Sequence, residues 1–332
     1  MQSSGFIRRL RHATLAGTAL LAGCAPLTHS HSDDRKLAGE LVHHVVVVSI
    51  DGLRPDAIPA SGAETLQRLM REGAYSTRAR TINPSKTLPS HTSMLTGVSP
   101  AKHKITWNED RVEEMGRVTV PTIFDLADSA GLRTAAFFGK AKFRHLIPTE
   151  SLDYWATAPR GLEILPSHRM VEDVKRFLKY RRPELLFIHV ADPDIAGHSA
   201  GWMSLPYRVA VRRADAAVRE IWEVGQKRFG DDFVLIVTAD HGGHERTHGT
   251  EMAVDMNIPW IVWGKGVRQG QIPGRITTFD TAATVLWLLG IARPDSWDGR
   301  PVEAAFSFGD PAGAGAGPGA LRPAEGMLSG NK

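Results

Sequence analysis

The chain has 332 residues, of which 42% are hydrophobic and 23% charged, enough for one large α/β domain or two modest ones and ordinary for a globular protein. With a single cysteine there is no disulfide scaffold, and nothing in the composition points to collagen or to disorder throughout. The formal net charge of +4 falls to +1 once the first 23 residues, which carry three arginines and no acid, are set aside; the basic balance therefore gives no ground for a nucleic-acid groove.

Taken in chain order, the first segment is a targeting signal. Arg8, Arg9 and Arg11 precede an apolar stretch over 13–22 that is too short to span a bilayer. It ends in Leu21-Ala22-Gly23-Cys24, which resembles the bacterial lipobox, in which the cysteine is lipidated and becomes the mature N-terminus. This predicts an exported protein, lipid-anchored through Cys24 in the bacterial envelope, at the periplasm or cell surface. A plain secretory signal with a chance cysteine is the alternative. Residues 24–41 read as a polar tether, 42–306 as one catalytic domain and 307–332, rich in Gly, Ala and Pro, as a disordered tail.

Within 42–306 strands and helices alternate. The run His43-His44-Val45-Val46-Val47-Val48-Ser49-Ile50 reads as a parallel strand buried on both faces. Ser61-Gly62-Ala63-Glu64 has the form of a capping box opening a helix that Gly73 ends. Pro121 is expected to begin a helix closed by Gly131. Strands are predicted over 133–138, 185–190 and 233–238, with helical periodicity over 206–227. Another strand is predicted over 258–263, weakened by Pro259 or placed by it at a sheet edge. An apolar helix over 281–289 ends at Gly290. The alternation predicts an α/β fold, a doubly wound, mostly parallel sheet with helices on both faces, whose ligands sit at the carboxyl ends of the strands.

Three of these strands are followed by side chains suited to metals. Asp51 follows the first. Asp192 and Asp194, then His198, follow the strand at 185–190. Asp240 and His241, then His244 and His248, follow the strand at 233–238. Carboxylates and imidazoles without a thiolate suit zinc or a similar divalent ion. Any one of them alone reads as a cap, a turn former or a packed histidine; three groups at equivalent places in separate βα units do not. Upstream, Pro89 fits the first turn of a helix and puts Thr87 near its N-cap, where free N–H groups and the helix dipole favour an anion. Thr87 is then either a cap or a hydroxyl nucleophile activated by a metal.

The segments Ser49-Ile50-Asp51-Gly52-Leu53-Arg54-Pro55-Asp56, Lys86-Thr87-Leu88-Pro89-Ser90-His91 through Leu95-Thr96-Gly97, Pro193-Asp194-Ile195-Ala196-Gly197-His198 and Thr238-Ala239-Asp240-His241-Gly242 resemble the type I phosphodiesterase/nucleotide pyrophosphatase branch of the alkaline phosphatase superfamily, in family order over about 49–249. The resemblance implies an alkaline phosphatase-like fold and two zinc ions, with other divalent ions as alternatives. Asp194, preferred to Asp192 by its Pro-Asp…Gly-His spacing, would hold one zinc with His198 and His248. Asp51, Asp240 and His241 would hold the other, to which Thr87 binds. His248 before Gly249 is preferred to His244, and no histidine follows it. Asn108 and the amide beside Thr87 would bind phosphate oxygens. The implied activity is hydrolysis of a phosphate ester through a phospho-threonine intermediate, with a diester favoured by the threonine. A phosphomonoesterase using Lys86 for the extra charge is the rival, and a metal-binding surface lipoprotein without turnover is the non-enzymatic one. The Cys/Ser-x-Pro-x-Arg segment of sulfatases is absent at the Thr87 site. The substrate is expected to be a nucleotide, a glycerophosphodiester or a lipid head group, with Leu88, Trp107 and Trp202 as candidate lining. His43, His44, His145, His168 and His189 are expected to be structural or exposed.

Overall fold

The computed structural model describes residues 39–148, 150–158 and 164–308. The expected signal segment, Cys24, nearly all of the tether and all but the first two residues of the expected tail lie outside the described residues. Eight strands, β1 (His44–Ile50), β2 (Ala74–Arg80), β3 (Thr134–Phe137), β4 (Tyr154–Ala156), β5 (Leu185–Val190), β6 (Phe233–Thr238), β7 (Asn257–Gly264) and β8 (Gly270–Gln271), form one sheet in the order β4-β3-β5-β1-β6-β7-β2-β8. β1 lies between β5 and β6, with Val47 opposite both Phe187 and Ile236, and all seven of its residues are buried. A continuous apolar run is what a strand covered on both faces requires. β4, β3, β5, β1 and β6 are mutually parallel, and β7 runs antiparallel to both of its neighbours. Among the described residues no helix is long and apolar enough to cross a membrane.

Several local expectations are corrected. Pro259 does not put its strand at an edge: β7 is paired on both sides, and the pairing with β2 shifts register between Ala79↔Ile258 and Ser76↔Trp260, around Pro259. The irregularity accommodates a residue that cannot donate to the ladder. The capping box at Ser61 does not form, because Ser61 ends a short helix, Ala57–Ser61, and the next helix, Glu64–Glu72, starts from Ala63. Its first N–H groups are satisfied by a distant side chain: Asp215 Oδ2 and Oδ1 accept from Thr65 N (3.1 Å) and Leu66 N (2.7 Å). Pro121 lies just before the N-cap of the helix Ile123–Ser129, where Thr122 and Asp125 make the reciprocal box. Thr87 is the first residue of the helix Thr87–Thr96 and Lys86 is its cap, one position earlier than expected.

The five mutually parallel strands bring their carboxyl ends to one edge of the sheet, and four of them deliver side chains there: β1 to Asp51, β3 to Lys140, β5 to the helix Asp192–Ala200, and β6 to Asp240 and His241. Gly52 makes this convergence possible. Its φ is +70°, and a Cβ on it would stand 3.0 Å from the Asp194 Cα, so the β1 turn can pass against the helix of Asp194 only as glycine.

Candidate metal centre

Asp194 and His198 lie four residues apart on one face of the helix Asp192–Ala200, with His198 Nε2 3.3 Å from Asp194 Oδ1. His248 comes from the loop after β6 and places its Nε2 3.6 Å from the same oxygen. His241 Nε2 lies 3.3 Å from Asp51 Oδ1, 3.3 Å from Asp240 Oδ2 and 4.0 Å from Asp194 Oδ1. Two overlapping groups have donor spacings that could hold a metal ion, Asp194–His198–His248 and Asp51–Asp194–His241, with Asp194 common to both. Thr87 Oγ1 is 3.4 Å from His241 Nε2, so the hydroxyl faces this cluster. All seven side chains expected to act with metal therefore converge.

Each carboxylate is divided between protein and site. Asp240 Oδ1 accepts from Gly52 N (3.1 Å) and His241 N (3.0 Å). Asp51 Oδ2 is approached by His189 Nε2 (3.0 Å) and Lys140 Nζ (2.6 Å), and Asp194 Oδ2 by Lys140 Nζ (2.5 Å). The opposite oxygens, Asp51 Oδ1, Asp194 Oδ1 and Asp240 Oδ2, are buried and accept no hydrogen bond. Buried carboxylate oxygens are not normally left bare.

The imidazoles are divided in the same way. Nδ1 of His241, His248 and His198 donates to the carbonyls of Gly242 (2.7 Å), Ser85 (2.8 Å) and Arg246 (2.9 Å). A carbonyl can only accept, so Nδ1 carries the proton in the neutral ring and the Nε2 lone pair faces the carboxylates. Bare lone pairs from three acids and three imidazoles, aimed at each other with their outer atoms anchored, are the arrangement a cation resolves. The residues present fit a divalent metal.

The charges shift accordingly. Burial and the neighbouring Asp51 push the Asp240 carboxyl above the usual carboxylate range. Burial opposes a charge on His241, but the Asp240 and Asp51 carboxylates outweigh it and raise its affinity for a proton. Burial also opposes ionisation of Asp51 and Asp194, yet the Lys140 ammonium helps hold both below the usual range. Burial and the charge of His241 push His248 down to about 3.

The alternative candidates are turned elsewhere. Asp192 turns away, accepting from Ser167 Oγ (2.8 Å). His244 Nδ1 pairs with Asp255 Oδ1 (2.7 Å) rather than with the cluster. Asn108 sits at the N-terminus of the helix of Thr87, its Oδ1 accepting from Leu88 N (2.9 Å). The Leu88 amide is thereby used, and what Asn108 retains for a phosphate is its Nδ2 amino group. Leu88 and Trp202 are both buried. Leu88 is fully buried, and Trp202 packs edge-on to His198 and against His248 while donating to Gly52 O (2.9 Å).

Two site residues escaped the sequence reading. His189, expected to be structural, is fully buried and reaches Asp51; Gly139 N donates to its Nδ1 (3.2 Å), which leaves Nε2–H to donate to the carboxylate. Lys140 follows β3 as Asp51 follows β1. A lysine just past a fourth buried strand was the available signal.

The mixed, mostly parallel eight-stranded sheet, with acids and imidazoles collected at its carboxyl edge, has the alkaline phosphatase-like fold. Solved structures of that fold are similar to this chain: murine ectonucleotide pyrophosphatase/phosphodiesterase 5, an inactive threonine-to-alanine variant in complex with AMP (TM-score 0.67, 16% identity, 80% of this chain and 100% of that one), and a 2-O GAG sulfatase (TM-score 0.63, 15% identity, 78% and 73%). The chain belongs to the type I phosphodiesterase/nucleotide pyrophosphatase family, whose family model matches residues 45–257. It is 25% identical over 249 residues to rat ectonucleotide pyrophosphatase/phosphodiesterase family member 1, covering 67% of this chain, and 25% identical over 223 residues to venom phosphodiesterase 2 of Crotalus adamanteus, covering 60%. The matches span 27% of the length of each of these curated relatives.

Proposed function

We propose that the chain is a metal-dependent hydrolase of phosphate esters, a phosphodiesterase of the nucleotide pyrophosphatase type, with Thr87 as nucleophile. The observation that carries this reading is the Thr87 hydroxyl 3.4 Å from His241 Nε2, which itself lies within 4.0 Å of three bare buried carboxylate oxygens. Asp194, His198 and His248 would hold one zinc ion, and Asp51, Asp240 and His241 the other, with Thr87 as a further ligand. Two such ions supply Lewis-acid stabilisation for the attacking and leaving oxygens. The rest follows from the chain's own groups. Thr87 is held at the first turn of a buried helix, tied to the end of β6 by Ser90 Oγ donating to Asp240 O (2.7 Å). From there its Oγ1 attacks phosphorus and the bond to one ester oxygen breaks, so that one alcohol leaves with the hydroxyl proton and the other stays esterified to the phospho-threonine; water then cleaves the Thr87–phosphate bond and releases a phosphomonoester. The Asn108 amino group stabilises charge on a non-bridging oxygen.

A diester is favoured over a monoester by the threonine nucleophile; Lys140 is committed to two carboxylates, which leaves Lys86 as the cation a monoesterase would use for the extra phosphate charge. A nucleotide is the proposed substrate, in keeping with the AMP complex of the solved relative; glycerophosphodiesters and lipid head groups are the competing substrates. The protein is further proposed to be exported and anchored through a lipid on Cys24. The test is a comparison of aryl phosphate mono- and diesters with and without zinc, using wild type and Thr87→Ala. The diester is expected to turn over faster, and Thr87→Ala to lose on the order of a thousandfold or more in kcat while still binding zinc. Turnover that survives the substitution would remove Thr87 as the nucleophile.

A further inference from the structure

We infer that Lys140 is a positioning residue and internal counter-cation of the metal centre, which keeps the acid cluster assembled and moderates its grip on the metal. This rests on the reading of Asp51 and Asp194 as ligands. Lys140 follows Gly139 at the end of β3, and its side chain is only 9% exposed. Its Nζ bridges Asp51 Oδ2 (2.6 Å) and Asp194 Oδ2 (2.5 Å), the carboxylates assigned to different ions.

The bridge has a geometric consequence and an electrostatic one. Clamped at Oδ2, each carboxylate presents only Oδ1 to the cluster, so it enters the site as a one-oxygen ligand in a fixed orientation. The backbone makes the clamp rigid: a Cβ on Gly139 would stand 2.8 Å from both Nδ1 and O of His189, so β3 can run close enough for Lys140 to reach in and for Gly139 N to orient His189. Electrostatically, Asp51, Asp194 and Asp240 are all buried within one cluster. An ammonium among them offsets one negative charge, and leaving such a charge uncompensated is strongly destabilising. The same ammonium repels a divalent cation approaching Oδ1. Lys140 and the metal therefore draw on the same carboxylates. Removing the lysine should harm the stripped protein far more than the loaded one.

The experiment compares wild type with Lys140→Met, each stripped by a chelator and then reloaded with zinc. Melting is followed by calorimetry and zinc affinity by competition with a chromophoric chelator. Stripped Lys140→Met is expected to melt on the order of 10 °C below stripped wild type. The loaded pair should differ by less than half as much, and the zinc dissociation constant of the variant should fall by about tenfold. Equal losses in both forms, or weaker zinc binding, would reduce Lys140 to a space-filling side chain and overturn the inference. Should stripped Lys140→Met not fold, Lys140→Met/Asp194→Asn, which removes a negative charge along with the positive one, is expected to restore a folded stripped protein; failure to do so also overturns it. A wild type that takes up no zinc overturns the metal reading, and this inference with it, whereas normal wild-type uptake with equal losses overturns the inference alone.

Discussion

The two halves of the sheet serve the site differently. In the parallel half, β1, β3, β5 and β6 end at the same edge, and the residues just beyond them enter the cluster directly: Asp51, Lys140, Asp194 with His198, and Asp240 with His241. On the other flank, β2 leads into the helix that begins with Thr87, and β7 runs the opposite way. This flank also supplies a brace. Asp255, just before β7, holds His244 Nδ1 (2.7 Å) through one oxygen and Thr250 N (3.0 Å) and Oγ1 (2.7 Å) through the other. Gly242 N and Gly243 N donate to the carbonyls of Asp255 and Val254. The loop carrying His248 is thus clamped at both ends by the antiparallel flank, because that strand begins where the parallel ones finish. The parallel strands deliver most of the clustered acids and imidazoles, and the reversed strand restrains the loop that brings His248.

That division can be broken by substitution. The largest effect is expected at the proposed ligand: His248→Ala should remove one of the two proposed zinc ions per chain, counted by elemental analysis, and lower kcat/KM by roughly a hundredfold or more. Two zinc ions retained with full activity would exclude His248 as a ligand. A smaller effect belongs to the brace. Asp255→Asn loosens the loop without touching the cluster and should weaken binding of one zinc by about 10- to 100-fold, read by chelator competition. If His244→Ala proved as damaging as His248→Ala, the roles of the two histidines would have to be exchanged.

Further from the site, the parallel half should show its dependence on burial through pH. His44, at the start of β1, is pushed down to about 4, chiefly by burial and against the help of its hydrogen bond to Pro183 O. The folded protein binds that proton less tightly than the unfolded chain. The stability it contributes is therefore complete above about pH 6.5 and is lost as pH falls through the window to 4, up to about 3 kcal/mol from this group. Denaturant melts from pH 7 to 4 should show this slope, and it should flatten in His44→Gln. The smallest effect is expected for Asp215→Ala, which uncaps the helix Glu64–Glu72. A loss of about 1–2 kcal/mol in chemical denaturation with unchanged hydrolysis would separate fold support from site support.

The legibility of the molecule followed the range of its interactions. β1, β5 and β6 were readable because burial on both faces demands an unbroken apolar run, whatever the neighbours are. β2, with the sequence AYSTRAR, and the two-residue β8 were not, since their pairing with β7 and with each other decides that they are strands at all. The cap of the helix Glu64–Glu72 was misplaced at Ser61 for the same reason: its acceptor, Asp215, lies about 150 residues downstream.

At the site, the sequence by itself determined the inventory. Asp51, His198, Asp240 and His241 follow from residue types that bind metals, placed just past buried strands, while the preference for Asp194 over Asp192 and the nucleophile role of Thr87 come from the family resemblance. Only the tertiary structure decided the allocation: His248 inside and His244 outside, Asp194 shared between the two groups, Lys140 and His189 behind the acids, and which oxygen of each carboxylate is left bare. The physical reason is that an oxygen's availability depends on which donors already occupy its partner. Those donors, Lys140, His189 and Gly52 N, come from segments that only the folded sheet brings together.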